Sequence, residues 1–115
     1  MTEPNDRLFV YGSLGPGGPN ENVLEKIGGS WEPATVCGIL RDEGWGAAIG
    51  YPGIELRETA ELVAGHLFRS ERLVDHWSEL DRFEGPAYQR EVTTVQLEHG
   101  RTTEAFIYAL KKPAG

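Results

Sequence analysis

The sequence predicts an α+β fold: a small mixed β-barrel or twisted sheet carrying two peripheral helices. Three observations point there. First, 15 Gly and 7 Pro in 115 residues break the chain into many short elements. Second, five stretches read as strands: Arg7–Tyr11, Trp31–Leu40, Glu61–Arg69 and the pair Tyr88–Leu97 and Arg101–Leu110. Third, only two segments, around Glu21–Ile27 and Glu71–Phe83, have helical signals. The order β-α-β-β-β-α-β-β follows, which mixes strands and helices without the strict alternation of a doubly wound sheet.

Each element has a local cause. Arg7-Leu8-Phe9-Val10-Tyr11 is a short apolar run ending at Gly12, as a buried strand should be. Gly12-Ser13-Leu14-Gly15-Pro16-Gly17-Gly18-Pro19 excludes helix and central strand, so it is a loop. Asn20 offers an N-cap for the first helix, and Gly28-Gly29 ends it. Pro33 places the next strand near an edge or at a bulge. Arg41 to Gly53 is rich in Gly and turn residues, with room for a short strand around Ala47–Tyr51. Ser70 caps the second helix, and Gly85-Pro86 stops it. Glu98-His99-Gly100 joins the last two strands as a hairpin.

The chain reads as one domain over residues 7–110, with flexible termini at 1–6 and 111–115. Eighteen acidic against 11 basic residues leave a formal charge of −7. No broad positive field exists to attract nucleic acid or an anionic membrane surface. No apolar run approaches the ~20 residues of a membrane helix. The opening residues lack a signal-peptide pattern. The one cysteine, Cys37, permits no internal disulfide, so a cytoplasmic location is expected. Cys37 lies in an apolar strand without a nearby His or Asn and reads as a buried structural residue. His66, His76 and His99 have no metal-ligand spacing, so no metal is expected. Oligomeric state is not encoded in any pattern of the sequence.

One side chain breaks its own pattern. Leu73, Trp77 and Leu80 form an apolar stripe along the second helix, and Glu84 continues it. Two readings follow. Either Glu84 enters a dry recess, where desolvation and the negative end of the helix raise its pKa, or the last turn splays and its carboxyl points into water. Asp81 shares that helix turn and reads as fixing local backbone. Separately, the loop after Tyr11 leaves main-chain N–H groups outside any ladder. Such groups bind carboxylate or phosphate oxygens without a basic side chain, although a tight connection alone would also explain the glycines.

Phe9-Val10-Tyr11-Gly12-Ser13-Leu14 and Leu80-Asp81-Arg82-Phe83-Glu84-Gly85-Pro86-Ala87-Tyr88-Gln89-Arg90 together resemble the γ-glutamylcyclotransferase-like superfamily, in its AIG2-like, γ-glutamylamine-cyclotransferase branch. Val36-Cys37-Gly38-Ile39-Leu40, Gly50-Tyr51-Pro52-Gly53 and Val63-Ala64-Gly65-His66-Leu67-Phe68 are similar to the same family in the same order. The resemblance implies a mixed barrel, no cofactor, and a small γ-glutamyl substrate cyclised to 5-oxoproline. It puts the catalytic carboxylate on Glu84, the substrate cradle on Tyr11, Gly12, Ser13 and Leu14, and a site tyrosine on Tyr88. The position after Leu14, often Arg in that family, is Gly15 here. That departure favours the alternative: a non-catalytic member of the fold that binds a small acidic metabolite or a protein partner. A third reading is a small barrel interaction domain whose Gly-rich loop is only a connector.

Overall fold

The computed structural model describes residues 4–11, 21–41, 53–57 and 61–110. Their elements run β1 (Arg7–Val10), α1 (Asn22–Ile27), β2 (Ser30–Arg41), β3 (Gly53–Leu56), β4 (Leu62–Arg69), α2 (Trp77–Glu84), β5 (Tyr88–Leu97) and β6 (Thr102–Leu110). The strands lie in the order β3-β2-β4-β1-β6-β5. Pairing of Ala34 with Leu97 and Thr35 with Gln96 joins β2 to β5 and closes a five-stranded barrel, with β3 as the extra strand. β1 and β6 run parallel; the other pairs are antiparallel. The α+β class, the mixed barrel and the two peripheral helices are thus as expected.

Closure explains the character of the two central strands. Along β1, Leu8 and Val10 face the helices while Phe9 faces the lumen. Along β6, Phe106 and Tyr108 face the helices while Ala105, Ile107 and Ala109 face the lumen. Successive side chains point to opposite faces, and here both faces are dry, so the strands read as unbroken apolar runs. Alanines at three lumen positions, Ala34, Ala105 and Ala109, leave room for Phe9 inside a narrow barrel. Gly65 serves the same ring: a Cβ there would lie 2.4 Å from the Val10 carbonyl oxygen and 2.6 Å from Phe9 Cζ. The helix side forms a second core, in which Leu24, Ile27, Leu73, Trp77 and Leu80 pack on β1, β4 and β6.

The differences from expectation are local. The single helix over Glu71–Phe83 is two segments: a 3-10 turn at Glu71–Asp75 and α2, separated by His76 at φ −121° and ψ 0°. The break keeps both segments against the barrel wall, and Leu73, Trp77 and Leu80 are all buried. Ser70 caps the 3-10 turn as foreseen, its Oγ accepting from the Arg72 N–H at 3.2 Å. At α1 the cap position is Glu21, without a side-chain capping bond, rather than Asn20, which lies outside the described residues. The expected strand at Ala47–Tyr51 also lies outside them, and β3 begins at Gly53, where a loop was expected to end. Pro33 pairs with His66 on the β4 side, and no described strand pairs with its other side, since β3 reaches Gly38 and β5 stops at Ala34. Cys37 is half-buried on the barrel's outer face rather than enclosed. The hairpin turn holds His99 at φ 61° and Gly100 at φ 73°.

Candidate active site

Strand directions bring the ends of β1, β2 and β6 to one mouth of the barrel, together with the starts of β3, β4 and β5. Tyr11 follows the end of β1, Tyr88 opens β5 opposite Leu110, and Glu84 closes α2 directly before β5. Three of the residues singled out in the sequence therefore converge. Gly12, Ser13 and Leu14 continue the chain from Tyr11 and lie outside the described residues.

Gly85 is what turns the chain from α2 into the barrel. Its φ of 82° and ψ of −175° belong to a region open in practice only to glycine. Its N–H bonds the Asp81 carbonyl at 3.1 Å, closing the last helical turn instead of letting it splay. Glu84 is therefore still helical, on the stripe that buries Trp77 and Leu80. Glu84 is half-buried there, so the last turn does not splay into open water as the second reading of the sequence had it. Burial raises the Glu84 carboxyl from 4.5 to about 7, because removing a carboxylate from water disfavours its charged form.

Tyr11 is held by both ends of its hydroxyl. The Oη donates to the Tyr108 carbonyl at 2.7 Å and accepts from the Ile54 N–H at 3.0 Å. It thus ties β1 to β6 and β3. Burial pushes its ionisation well above the usual tyrosine range, and negative charge on Tyr88 or Glu84 pushes the same way; the Ile54 hydrogen bond opposes them. Glu84 raises Tyr108 as well, behind the larger effects of burial and of Asp81. The carboxyl of Glu84 accordingly lies within electrostatic reach of two tyrosines that remain protonated at neutral pH.

Asp81 and Arg90 form a support that the sequence reading missed. Tyr108 Oη donates to Asp81 Oδ1 at 2.7 Å, and Arg90 Nε stands 3.5 Å from the same oxygen. The Arg90 guanidinium lies 4.6 Å from the Trp77 ring centre and 4.8 Å from that of Phe106. Asp81 therefore anchors α2 to β5 and β6 through side chains, rather than fixing local backbone. The signal was present: Arg90 is two residues from buried Tyr88 and shares its face, and a cation on a core-facing side needs an anion.

Two hollows flank this end. One of about 530 Å³ lies between the end of α2 and the strands that carry Tyr88, Arg90 and Tyr108. Another, of about 750 Å³, runs from Tyr11 along Gly38–Leu40 of β2 and Glu61–Ala64 at the start of β4. Among the described residues no group of three or more His, Cys, Asp or Glu side chains is arranged to hold a metal ion. None of the described helices is long and apolar enough to cross a membrane.

Comparison with known proteins bears on this geometry. No curated protein matches the chain. Solved structures do. YkqA from Bacillus subtilis superposes with a TM-score of 0.68 at 26% identity, covering 91% of this chain and 35% of YkqA, so the chain spans about a third of that protein's length. An AIG2-like protein from Mus musculus gives a TM-score of 0.65 at 28% identity, covering 95% of this chain and 79% of the mouse chain. A protein from Arabidopsis thaliana shares the fold, with a TM-score of 0.71 at 23% identity over 96% of this chain and 71% of its own. The sequence profile described as "Gamma-glutamyl cyclotransferase, AIG2-like" matches residues 8–115, which take in every strand and helix described above except the first residue of β1. The chain belongs to the γ-glutamyl cyclotransferase, AIG2-like family.

Proposed function

We propose that the chain is a cofactor-independent cyclotransferase that converts the γ-glutamyl group of a γ-glutamyl amide to 5-oxoproline and releases an amine. The observation that carries this reading is the Glu84 carboxyl, partly buried at the end of α2 with a pKa of about 7. A group that ionises near neutrality both accepts and donates a proton at low cost.

The substrate supplies its own nucleophile. Its α-amine, with an ordinary pKa near ~8, arrives mostly as an ammonium. Glu84 in its carboxylate form takes one proton from it. The freed nitrogen attacks the γ-carbonyl carbon, the C–N bond of the five-membered ring forms, and the carbonyl oxygen becomes an oxyanion. Glu84, now protonated, returns that proton to the departing nitrogen as the amide C–N bond breaks and the γ-carbonyl re-forms; the carboxylate so regenerated takes the second proton from the ring nitrogen and passes it to the released amine or to water, leaving 5-oxoproline. Tethering of the nucleophile removes part of the entropic barrier. In this scheme the main-chain amides of Gly12, Ser13 and Leu14 hold the substrate carboxylate or the developing oxyanion, with Tyr11 and Tyr88 forming the wall beside Glu84. No covalent enzyme intermediate is needed.

The test is 5-oxoproline release from γ-glutamyl amides by the wild type and by Glu84→Gln. The variant is expected to fold and to lose on the order of 10²–10⁴ in kcat. The wild-type rate is expected to fall on the acid side with an inflection near 7, as the carboxylate that must accept the proton is titrated away. Full turnover by Glu84→Gln removes the residue from the reaction. Saturable binding of a γ-glutamyl compound with no product from the wild type selects the non-catalytic alternative, which the Gly15 departure favours.

A further inference from the structure

Tyr108 has no part in the proton transfer, yet it is bonded to both halves of the site. Its carbonyl accepts from the Tyr11 hydroxyl at 2.7 Å, and its own hydroxyl donates to Asp81 Oδ1 at 2.7 Å. The pairing of β1 with β6 ends at Ile107, one residue earlier, so the Tyr11 hydroxyl takes a carbonyl beyond that register. On the other side, α2 is pinned at its start by Trp77, whose Nε1 donates to the Asn5 carbonyl at 3.0 Å, and in its last turn by Asp81. Arg90, stacked on Trp77 and Phe106, holds the same carboxylate from β5. Glu84 lies three residues beyond Asp81 and closes the helix. Residues three apart share a helix face, so the docking of Asp81 fixes where Glu84 points. Tyr108 is buried in the helix-side core, and close packing keeps its hydroxyl in one place.

We propose that Tyr108 is a positioning residue, whose hydroxyl, acting through Asp81, holds the Glu84 carboxyl in place against the wall that begins at Tyr11. The inference rests on the cyclotransferase reading and adds a residue to it. A carboxyl that takes a proton from one nitrogen and returns it to another has to reach both, and a misplacement of about 1 Å costs on the order of 10²-fold in rate. In that reading the substrate is held by main-chain amides and not by Glu84, so a displaced carboxyl lowers kcat and spares KM. Around Glu84 the titratable groups are Tyr11 beside β1, Tyr88 at the start of β5 and Tyr108 on β6, with Asp81 and Arg90 behind Tyr108. Burial is what raises its pKa, so a last turn released from its anchor admits water and lets that pKa fall.

The test compares Tyr108→Phe, Asp81→Ala and the double variant with the wild type, in 5-oxoproline release and in NMR titration of the Glu84 carboxyl. Tyr108→Phe keeps the packed ring and is expected to lose on the order of 10–10² in kcat, with KM within about twofold. Its Glu84 carboxyl is expected to titrate at lower pH than that of the wild type. Both residues act through one hydrogen bond, so the double variant is expected to be no slower than the slower single variant. Unchanged kcat and an unmoved Glu84 titration in Tyr108→Phe, with only a lower denaturation midpoint, make the bond purely structural and overturn the inference. A double variant slowed by the product of the two single effects overturns it as well. Absence of 5-oxoproline from the wild type brings down the cyclotransferase reading. The NMR titration then decides the positioning alone: a lowered Glu84 titration in Tyr108→Phe upholds it, and an unmoved one overturns it.

Discussion

The two ends of the barrel use the same residue types to opposite effect. At the hairpin end, Glu98 and His99 stand 4.0 Å apart with 59% and 86% of their side chains exposed. Arg101, 57% exposed, reaches Glu32, 35% exposed, at 3.7 Å. Water screens these charges, and they are solubilising groups. At the other end, Glu84 lies on the apolar stripe of α2, close to Tyr11 and Tyr108, and ionises near 7. The ionisation of a glutamate is set by its surroundings, and it is burial at this end of the barrel that moves that of Glu84. The same contrast recurs within one helical turn. Asp81 has its negative charge met by a hydroxyl and a guanidinium and works as an anchor, whereas the shift at Glu84 comes from desolvation.

Three measurements would break or sharpen this contrast. The largest concerns folding stability against pH. Glu84 ionises near 4.5 when unfolded and near 7 when folded, so the folded state holds the extra proton in between. Its stabilising contribution is complete below pH 4.5 and is lost as pH rises toward 7, a total of about 3 kcal/mol. Glu84→Gln is expected to remove that slope and to unfold at higher denaturant than the wild type above pH 7. A wild-type curve parallel to that of the variant across this range would put Glu84 in open water and erase the difference between the two ends. Next is Tyr108→Phe, which deletes the 2.7 Å bond to Asp81. Its expected cost is about 1–2 kcal/mol in chemical denaturation, because Asp81 is 45% exposed and water replaces part of the lost bond. The smallest is Arg101→Gln at the hairpin end, expected to change stability by less than about 1 kcal/mol and to leave the rate of any catalysed reaction alone. A larger loss there would show that the hairpin end is not merely solvated.

Local rules carried far in this chain. The order of strands and helices, the hairpin at Glu98–Gly100 and the stop at Gly85 follow from runs, caps and turn residues within a few positions of each other. The stripe that ends on Glu84 belongs to the same class, since a helix repeats its faces every three to four residues. The same rules misjudged the Glu71–Phe83 segment as one helix, because capping and stripe signals do not register the bend at His76 that fits both halves to the barrel. They offered the short strand between β2 and β4 around Ala47–Tyr51, outside the described residues, and not at β3, whose four residues are held by pairing with the end of β2 rather than by a pattern of their own.

What the sequence determined by itself is therefore a set of elements and one misplaced acid. Tertiary structure decided what that acid is next to. Closure rests on the meeting of β2 with β5 at Ala34 and Leu97, and the Tyr11 hydroxyl finds partners 43 and 97 positions along the chain. Asp81 finds Tyr108 across 27 residues. Periodicity and capping speak for neighbours along a segment, whereas burial and charge compensation depend on whichever distant side chains the fold brings alongside, and these set the pKa of Glu84 and the role of Asp81.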